Sequence, residues 1–304
     1  MTVNGIDLCE GFVTVRAVKP YHRRSGAATF LASLILLCLI SPPFSAPAAT
    51  KDGFGVAQLA PTVAGGREWR ARWEAERVVP AYEADPTDCL FYNEEGELRI
   101  RNGIASARAG LTRLVVLSPT HQAGAAAARL WTNVEMTVYV RRGASARWLD
   151  YQALYLSARS GERHNDSAPC EGTSYHATAR FDGQCGFKKE VWHSGGYTSL
   201  RPEPAPKPWP TVPEGKWVGM KFLCRNCDDG AHVRLQLYLD ADERNDWKLI
   251  AELTDAGGWP GEKPGCNRQQ DSIITEGRPA VYFRTDQVAV ELKKFSVREI
   301  APLP

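Results

Sequence analysis

The sequence predicts an all-β protein, an antiparallel β-sandwich, on three observations. Apolar and polar residues alternate over several segments, helical periodicity is sparse, and Gly, Pro, Asn and Asp punctuate the chain between those segments. A strand's side chains point to opposite faces with a period of two, so such alternation gives one face to a core and the other to water. Many half-buried strands with turns between them close into two packed sheets.

In chain order, Glu68–Val78 reads as a short helix without a sustained apolar stripe, and Leu98–Arg101 as a strand. The alanine-rich Gly124–Leu130 is a second short helix. In Thr132–Arg141, Val134, Met136, Val138 and Val140 oppose Asn133, Glu135, Thr137, Tyr139 and Arg141. Tyr151–Ser160 repeats the split, with Leu154, Leu156 and Ala158 against Tyr155, Ser157 and Arg159. Strands follow at Tyr175–Phe181 and through the ionisable stretch Phe181–Ser199, then at Trp217–Cys224. In His232–Asp240, Val233, Leu235, Leu237 and Leu239 oppose His232, Arg234, Gln236, Tyr238 and Asp240. Lys248–Leu253, Ala280–Arg284 and Val288–Arg298 complete the set, and the proline-rich Arg201–Pro213 reads as an ordered loop crossing between two halves of one domain.

The N-terminus points to export. His22, Arg23 and Arg24 precede an apolar run from Ala27 to Ile40, and Ala46-Pro47-Ala48 offers a small-residue cleavage site. Residues 1–48 therefore read as a signal peptide and 49–304 as a single domain, secreted to an extracellular or periplasmic space. The apolar run is short for a bilayer and no later stretch approaches that length, so no transmembrane segment is expected in the mature chain. Of eight cysteines, six lie beyond the leader: Cys89, Cys170, Cys185, Cys224, Cys227 and Cys266. In an exported chain these suggest disulfides, with Cys170–Cys185 the favoured pair because it staples the loop beside the Tyr175–Phe181 strand. Cys224-Arg-Asn-Cys227 lacks the partner spacing of a zinc site and the βαβ setting of a redox pair. A net charge of +2 offers no global field for nucleic acid, so any affinity for anions is local. A monomer is expected.

Phe181–Ser199 is the densest candidate site, packing Lys188, Lys189, Glu190, His193 and Tyr197 into ten residues. A strand face that is polar and aromatic together suits sugars, since rings stack on pyranoses while Arg, Asn and Glu reach hydroxyls and carboxylates. On this reasoning Glu135, Tyr139, Tyr155, Arg180, Lys189, Glu190 and Trp192 are expected to bind a polysaccharide. No metal ligands are assigned and no cofactor is expected. Asp240, Asp242, Asn245 and Asp246 in DADERNDW are either hard-oxygen ligands for calcium or an ordinary acidic hairpin turn.

The pieces DGFGVAQLAPTVAGGREW (52–69), Trp131–Arg141, KKEVWHSGGY and Gly215–Ile300 resemble secreted concanavalin-A-like lectin/glucanase proteins. Trp217-Val-Gly219-Met-Lys221-Phe222, VRLQLYLDADERNDW, WKLIAELTD and FSVREI carry the likeness. It implies a concanavalin-A-like jelly roll over most of the mature chain. Within that fold, Val191–Ser199 is similar in outline to the Y-F-K-A-G-x-Y-x-Q strand of alginate-type polysaccharide lyases. The resemblance puts the catalytic tyrosine on Tyr197 and the motif's lysine on His193, with Gly195 matching, Trp192 in place of phenylalanine and Ser199 in place of glutamine. Glu135 answers to the glutamate of an R-x-E-L-R strand without its arginines, and LSARSG (156–161) lacks the Gln-Ile-His signature.

A lyase of this kind removes the C5 proton of a uronate and breaks its C4–O4 bond, leaving a C4–C5 double bond. Such a reaction needs a cation on the carboxylate, a base for the C5 proton and an acid for the leaving O4. Arg159, His193 and Tyr197 are the expected neutraliser, base and acid. The leading expectation is polysaccharide binding on the concave, polar sheet face, with β-elimination of an acidic polymer as its catalytic form; the alternatives are a glycoside hydrolase pairing Glu135 with Glu190, or a non-catalytic adhesion or surface protein.

Overall fold

Fifteen strands, numbered in chain order, form two antiparallel sheets in the computed structural model. It describes residues 50–84, 89–93, 96–118, 130–144, 152–161, 169–170, 172–193, 195–259, 266 and 272–304. The expected leader and all but the last residue of Gly124–Leu130 lie outside these. Among the described residues there is no α-helix, and no helix long and apolar enough to cross a membrane.

The larger sheet runs β13 (Lys248–Asp255), β12 (His232–Asp240), β11 (Trp217–Cys227), β7 (Val134–Arg142), β15 (Val290–Glu299), β5 (Ile104–Ala107), β4 (Leu98–Arg101) and β2 (Arg77–Val79), with β1 (Glu68–Arg70) also beside β15. The smaller runs β10 (Cys185–Glu190), β9 (Ser174–Arg180), β8 (Ala153–Ser160), β14 (Ala280–Thr285), β6 (Thr112–Leu117) and β3 (Cys89–Asn93). Consecutive strands repeatedly change sheet, as at β6–β7, β7–β8, β10–β11, β13–β14 and β14–β15. That is the crossing pattern of a jelly-roll sandwich.

The alternation read from the sequence faces the interior as expected. Val134, Met136, Val138 and Val140 are at most 1% exposed and meet Leu154, Leu156, Phe187, Phe222 and Phe283 in one core. Phe187 from the smaller sheet lies 6.1 Å from Phe222 of the larger, ring centre to ring centre. Each such side chain contributes about 1.5–3 kcal/mol on burial. Glu68–Val78 is not a helix: it holds β1 and the start of β2. Trp69 packs edge-on against Phe295 at 5.3 Å, and Ala71 N–H donates to Phe295 O, so tertiary pairing overrides a weak local preference.

Arg201–Pro213 crosses between the sheets and lines the outer edge of β10. Phe187 and Arg201 exchange backbone hydrogen bonds of 2.6 and 2.8 Å, Cys185 N–H donates to Pro206 O, and Val212 N–H to Phe181 O. A bare strand edge is thereby covered. The disulfide expectation is corrected: Cys170 pairs with Cys266, 96 residues away. Cys185 is instead a free thiol that faces into the core with no exposure. Cys224 and Cys227 are buried free thiols, and their strand continues through both residues. The side chain of Cys89 lies outside the described residues.

Candidate functional site

The outer face of the smaller sheet gathers polar and aromatic side chains in rows fixed by strand register. Lys188 lies opposite His176, His176 opposite Ser157, and Ser157 opposite Tyr282. Two residues along, Thr178, Tyr155, Arg284 and Arg113 form a parallel row. Glu190 faces Ser174 at the other end. The alternate residues Tyr175, Ala177, Leu156, Phe283 and Leu114 point inward and are buried.

A tight turn folds over the Glu190 end. β10 stops at Glu190, Val191 N–H donates to Gly196 O, and Tyr197 returns as a bridge partner of Glu190. Gly196 is required there, since a Cβ would sit 2.4 Å from Trp192 O. The turn lays the Tyr197 ring on His176, stacked with centres 6.2 Å apart. His193 Nδ1 lies 3.2 Å from Glu190 Oε1, with the Tyr197 hydroxyl at 3.5 Å. The parity along an extended strand that set Glu190 apart from His193 and Tyr197 therefore does not apply, and the turn brings all three together.

Beneath them lies a buried hydrogen-bonded cluster. Ser174 Oγ donates to Glu190 Oε2 at 3.2 Å, His176 Nε2 is 3.3 Å from the same oxygen, and Ser157 Oγ is 2.7 Å from His176 Nδ1. One neutral tautomer satisfies every member: Nε2–H faces Ser174 and Glu190, and Nδ1 accepts from the Ser157 hydroxyl. Burial lowers the His176 pKa against the pull of Glu190, which keeps the ring neutral. Burial, followed by the charge of Glu190, raises the Tyr197 pKa well above 10. Tyr155 is pushed up to about 12, chiefly by burial. The phenols of this face are thus proton donors, not phenolates.

Other residues expected at the site lie elsewhere. Arg159 does not join His193 and Tyr197. It sits at a register shift of β8 against β14 with φ of 55°, is fully buried, and donates to Thr132 O at 3.0 Å and to Ile274 O. Glu135 and Tyr139 belong to the larger sheet. Glu135 accepts from Leu59 N–H, Ala60 N–H, Lys221 Nζ and Arg298, where the N-terminal segment crosses the sheet. Tyr139 donates to Asp240 at 2.7 Å. Lys189 faces the core, 2.9 Å from Asp255 and fully buried. Trp192 is 1% exposed and cannot be a sugar platform. Arg180 stays on the outer face, paired with Asp182, and Tyr155 and Glu190 also remain there.

Because Glu135 and Glu190 are on different sheets, they do not pair as a hydrolase's carboxylates. Oxygens of Asp240 and Asn245 in DADERNDW already serve protein donors, within the turn and beyond it. Asp240 accepts from Tyr139, Arg244 N–H and Asn245 N–H, while Asn245 Oδ1 accepts from Ala57 N–H and Trp247 Nε1. Among the described residues no group of three His, Cys, Asp or Glu is arranged to hold a metal ion.

Sequence reasoning missed His176, Ser157, Ser174, Arg113 and Arg284. The signal for two of them was present in SYHATAR, where Ser174, His176, Thr178 and Arg180 alternate with Tyr175, Ala177 and Ala179. Arg113 and Arg284 join this face only through the pairing of β6 with β14.

No family model matches the chain, and no curated protein matches it. Among solved structures it is similar to the exoplasmic/lumenal domain of VIP36 in a Ca2+/Man3GlcNAc-bound form, at 8% identity and a TM-score of 0.41, covering 77% of this chain and 91% of that one. The Emp47p carbohydrate recognition domain gives 7% and 0.42, covering 77% and 98%. Lectin II from Ulex europaeus gives 7% and 0.37, covering 74% and 99%. At such identities and scores, the ligands in those names belong to those proteins alone.

Proposed function

We propose that this is an exported, monomeric carbohydrate-active protein that binds an acidic polysaccharide on the outer face of its smaller sheet and cleaves it by β-elimination. The observation that carries this reading is the Tyr197 phenol, held protonated, beside His193 and stacked on His176 above Glu190. Glu190 Oε1 accepts the Nδ1–H of His193, which leaves Nε2 as the basic nitrogen. His193 removes the C5 proton, and Tyr197 protonates O4 as the C4–O4 bond breaks. Glu190 and Ser174 position the two rings. Removing an acid or base of this kind costs typically 10²–10⁴-fold in rate.

Elimination leaves an unsaturated uronate that absorbs near 235 nm. Incubation with a panel of uronate polymers should give a rising trace, and Tyr197→Phe should reduce it at least about 100-fold with folding intact. A trace that stays flat for every polymer, while one polymer still binds, would overturn cleavage and leave a lectin-like binding module.

A further inference from the structure

We propose that Arg113 and Arg284 form an oxyanion subsite that takes the carboxylate or sulfate of an acidic sugar beside the Tyr197–His176 pair. This rests on the reading of the face as a polysaccharide site, and assigns the group that the distant Arg159 cannot supply. Arg113 and Arg284 are direct cross-strand partners on one face. Like charges directly opposite each other destabilise a sheet. Asp286 compensates one of the two charges, with Oδ1 3.0 Å from Arg284 Nε, and not the other. No hydrogen bond or ion pair of the Arg113 side chain is seen among the described residues, and its Nε is buried without a partner.

Thr178 Oγ1 is also buried and unpartnered, in a residue with no exposure, and so is the Nε of neighbouring Arg180. Buried polar atoms in folded proteins are nearly always satisfied, and the Arg113 guanidinium is the donor on this face that an added acceptor can satisfy. Between Thr178 and Arg284 stands Tyr155, its ring 5.6 Å from the Arg284 guanidinium. Arg113 and Arg284 are both half-buried rather than sealed, so this pair can be reached. Two planar forks side by side match an oxyanion through paired N–H donors. The row is displaced by two strand residues, about 7 Å, from the His176 row. That spacing leaves room for one sugar ring. Arg284 is also close enough for its charge to act on Tyr197 and His176. An anion held in this row therefore lies about one sugar ring from the Tyr197–His176 pair.

The test is calorimetric binding in a Tyr197→Phe background, where no probe is consumed. The probes are an alginate tetrasaccharide for carboxylate, a carrageenan tetrasaccharide for sulfate without carboxylate, and cellotetraose as the neutral reference. Arg113→Gln should weaken the acidic probe that binds by roughly ten-fold or more. It should leave cellotetraose unmoved and keep or raise the melting temperature of the free protein, because a like-charge contact has been removed. Which tetrasaccharide responds identifies the oxyanion. Equal losses for acidic and neutral probes, an unchanged acidic affinity, or no binding of either acidic probe would overturn the subsite. If the 235 nm trace is flat but Arg113→Gln still loses the acidic probe, cleavage falls and the subsite stands. If cleavage proceeds and Arg113→Gln changes neither KM nor kcat, the subsite falls and cleavage stands.

Discussion

Lys189→Met separates a core lysine from a sugar-binding one. Lys189 and Asp255 are both fully buried, with Nζ 2.9 Å from Oδ2 and 5.2 Å from the Trp259 ring centre. Asp255 also accepts from the Tyr175 hydroxyl and, at 3.0 Å, from Gly257 N–H, so three donors hold one carboxylate. Removing the ammonium leaves a carboxylate in the core with two neutral donors. Breaking such a buried pair costs about 3–5 kcal/mol. For a domain of this size each kcal/mol moves the melting temperature by about 2–4 °C, so a fall of roughly 6–20 °C is expected. Lys189→Met combined with Asp255→Asn keeps an acceptor for Gly257 N–H, turns the other position into a donor towards the Tyr175 hydroxyl oxygen, and removes the stranded charge. It should recover about 2 kcal/mol or more, a coupling outside the additivity of independent sites. Calorimetric melting of parent, two single variants and the double variant closes the cycle, and polymer affinity is measured on each. A single variant that loses under about 1 kcal/mol of stability and also loses polymer would refute the inward placement of Lys189.

The other predictions concern pH and the disulfide. His176 has a folded-state pKa below its unfolded 6.5 because burial disfavours the imidazolium. Between those two values the unfolded chain binds more protons, so its contribution is fully present above pH 6.5 and is lost as pH falls through the folded value. Melting temperatures should drop on acidification below pH 6.5, and His176→Gln should flatten that segment of the curve; an equally steep curve would exclude His176 as its source. The Cys170–Cys266 bridge spans 96 residues, so replacing both cysteines with serine should lower stability by about 2–5 kcal/mol in guanidinium unfolding. An unmoved midpoint would count against the bridge.

The fold was legible where burial on one face leaves a period-two trace. His232–Asp240 matches β12 at both ends, and Leu98–Arg101 matches β4. The short strands β5 and β6 were missed, and Glu68–Val78 was read as a helix, because segments of three to six residues carry too few repeats for periodicity to decide. At the site, Glu190, His193 and Tyr197 were legible as a cluster because they are local in sequence. Their association depends on a turn, and Gly195 and Gly196 are the residues that mark it.

By itself the sequence determined which residues alternate inward and outward on the long strands, and therefore that the protein is an antiparallel sandwich. That information is local, since each strand's two faces follow from its own pleat. Only the tertiary structure decided which outward face serves as the site. Glu135, Tyr139 and Tyr155 are all outward residues of their strands, yet the N-terminal segment and the β12–β13 turn cover the first two while Tyr155 joins His176 and Arg284. Strand order and register bring together residues as far apart as Arg113, His176 and Arg284, and a bulge turns Arg159 away from them. Those are long-range pairings, and no window along the chain contains them.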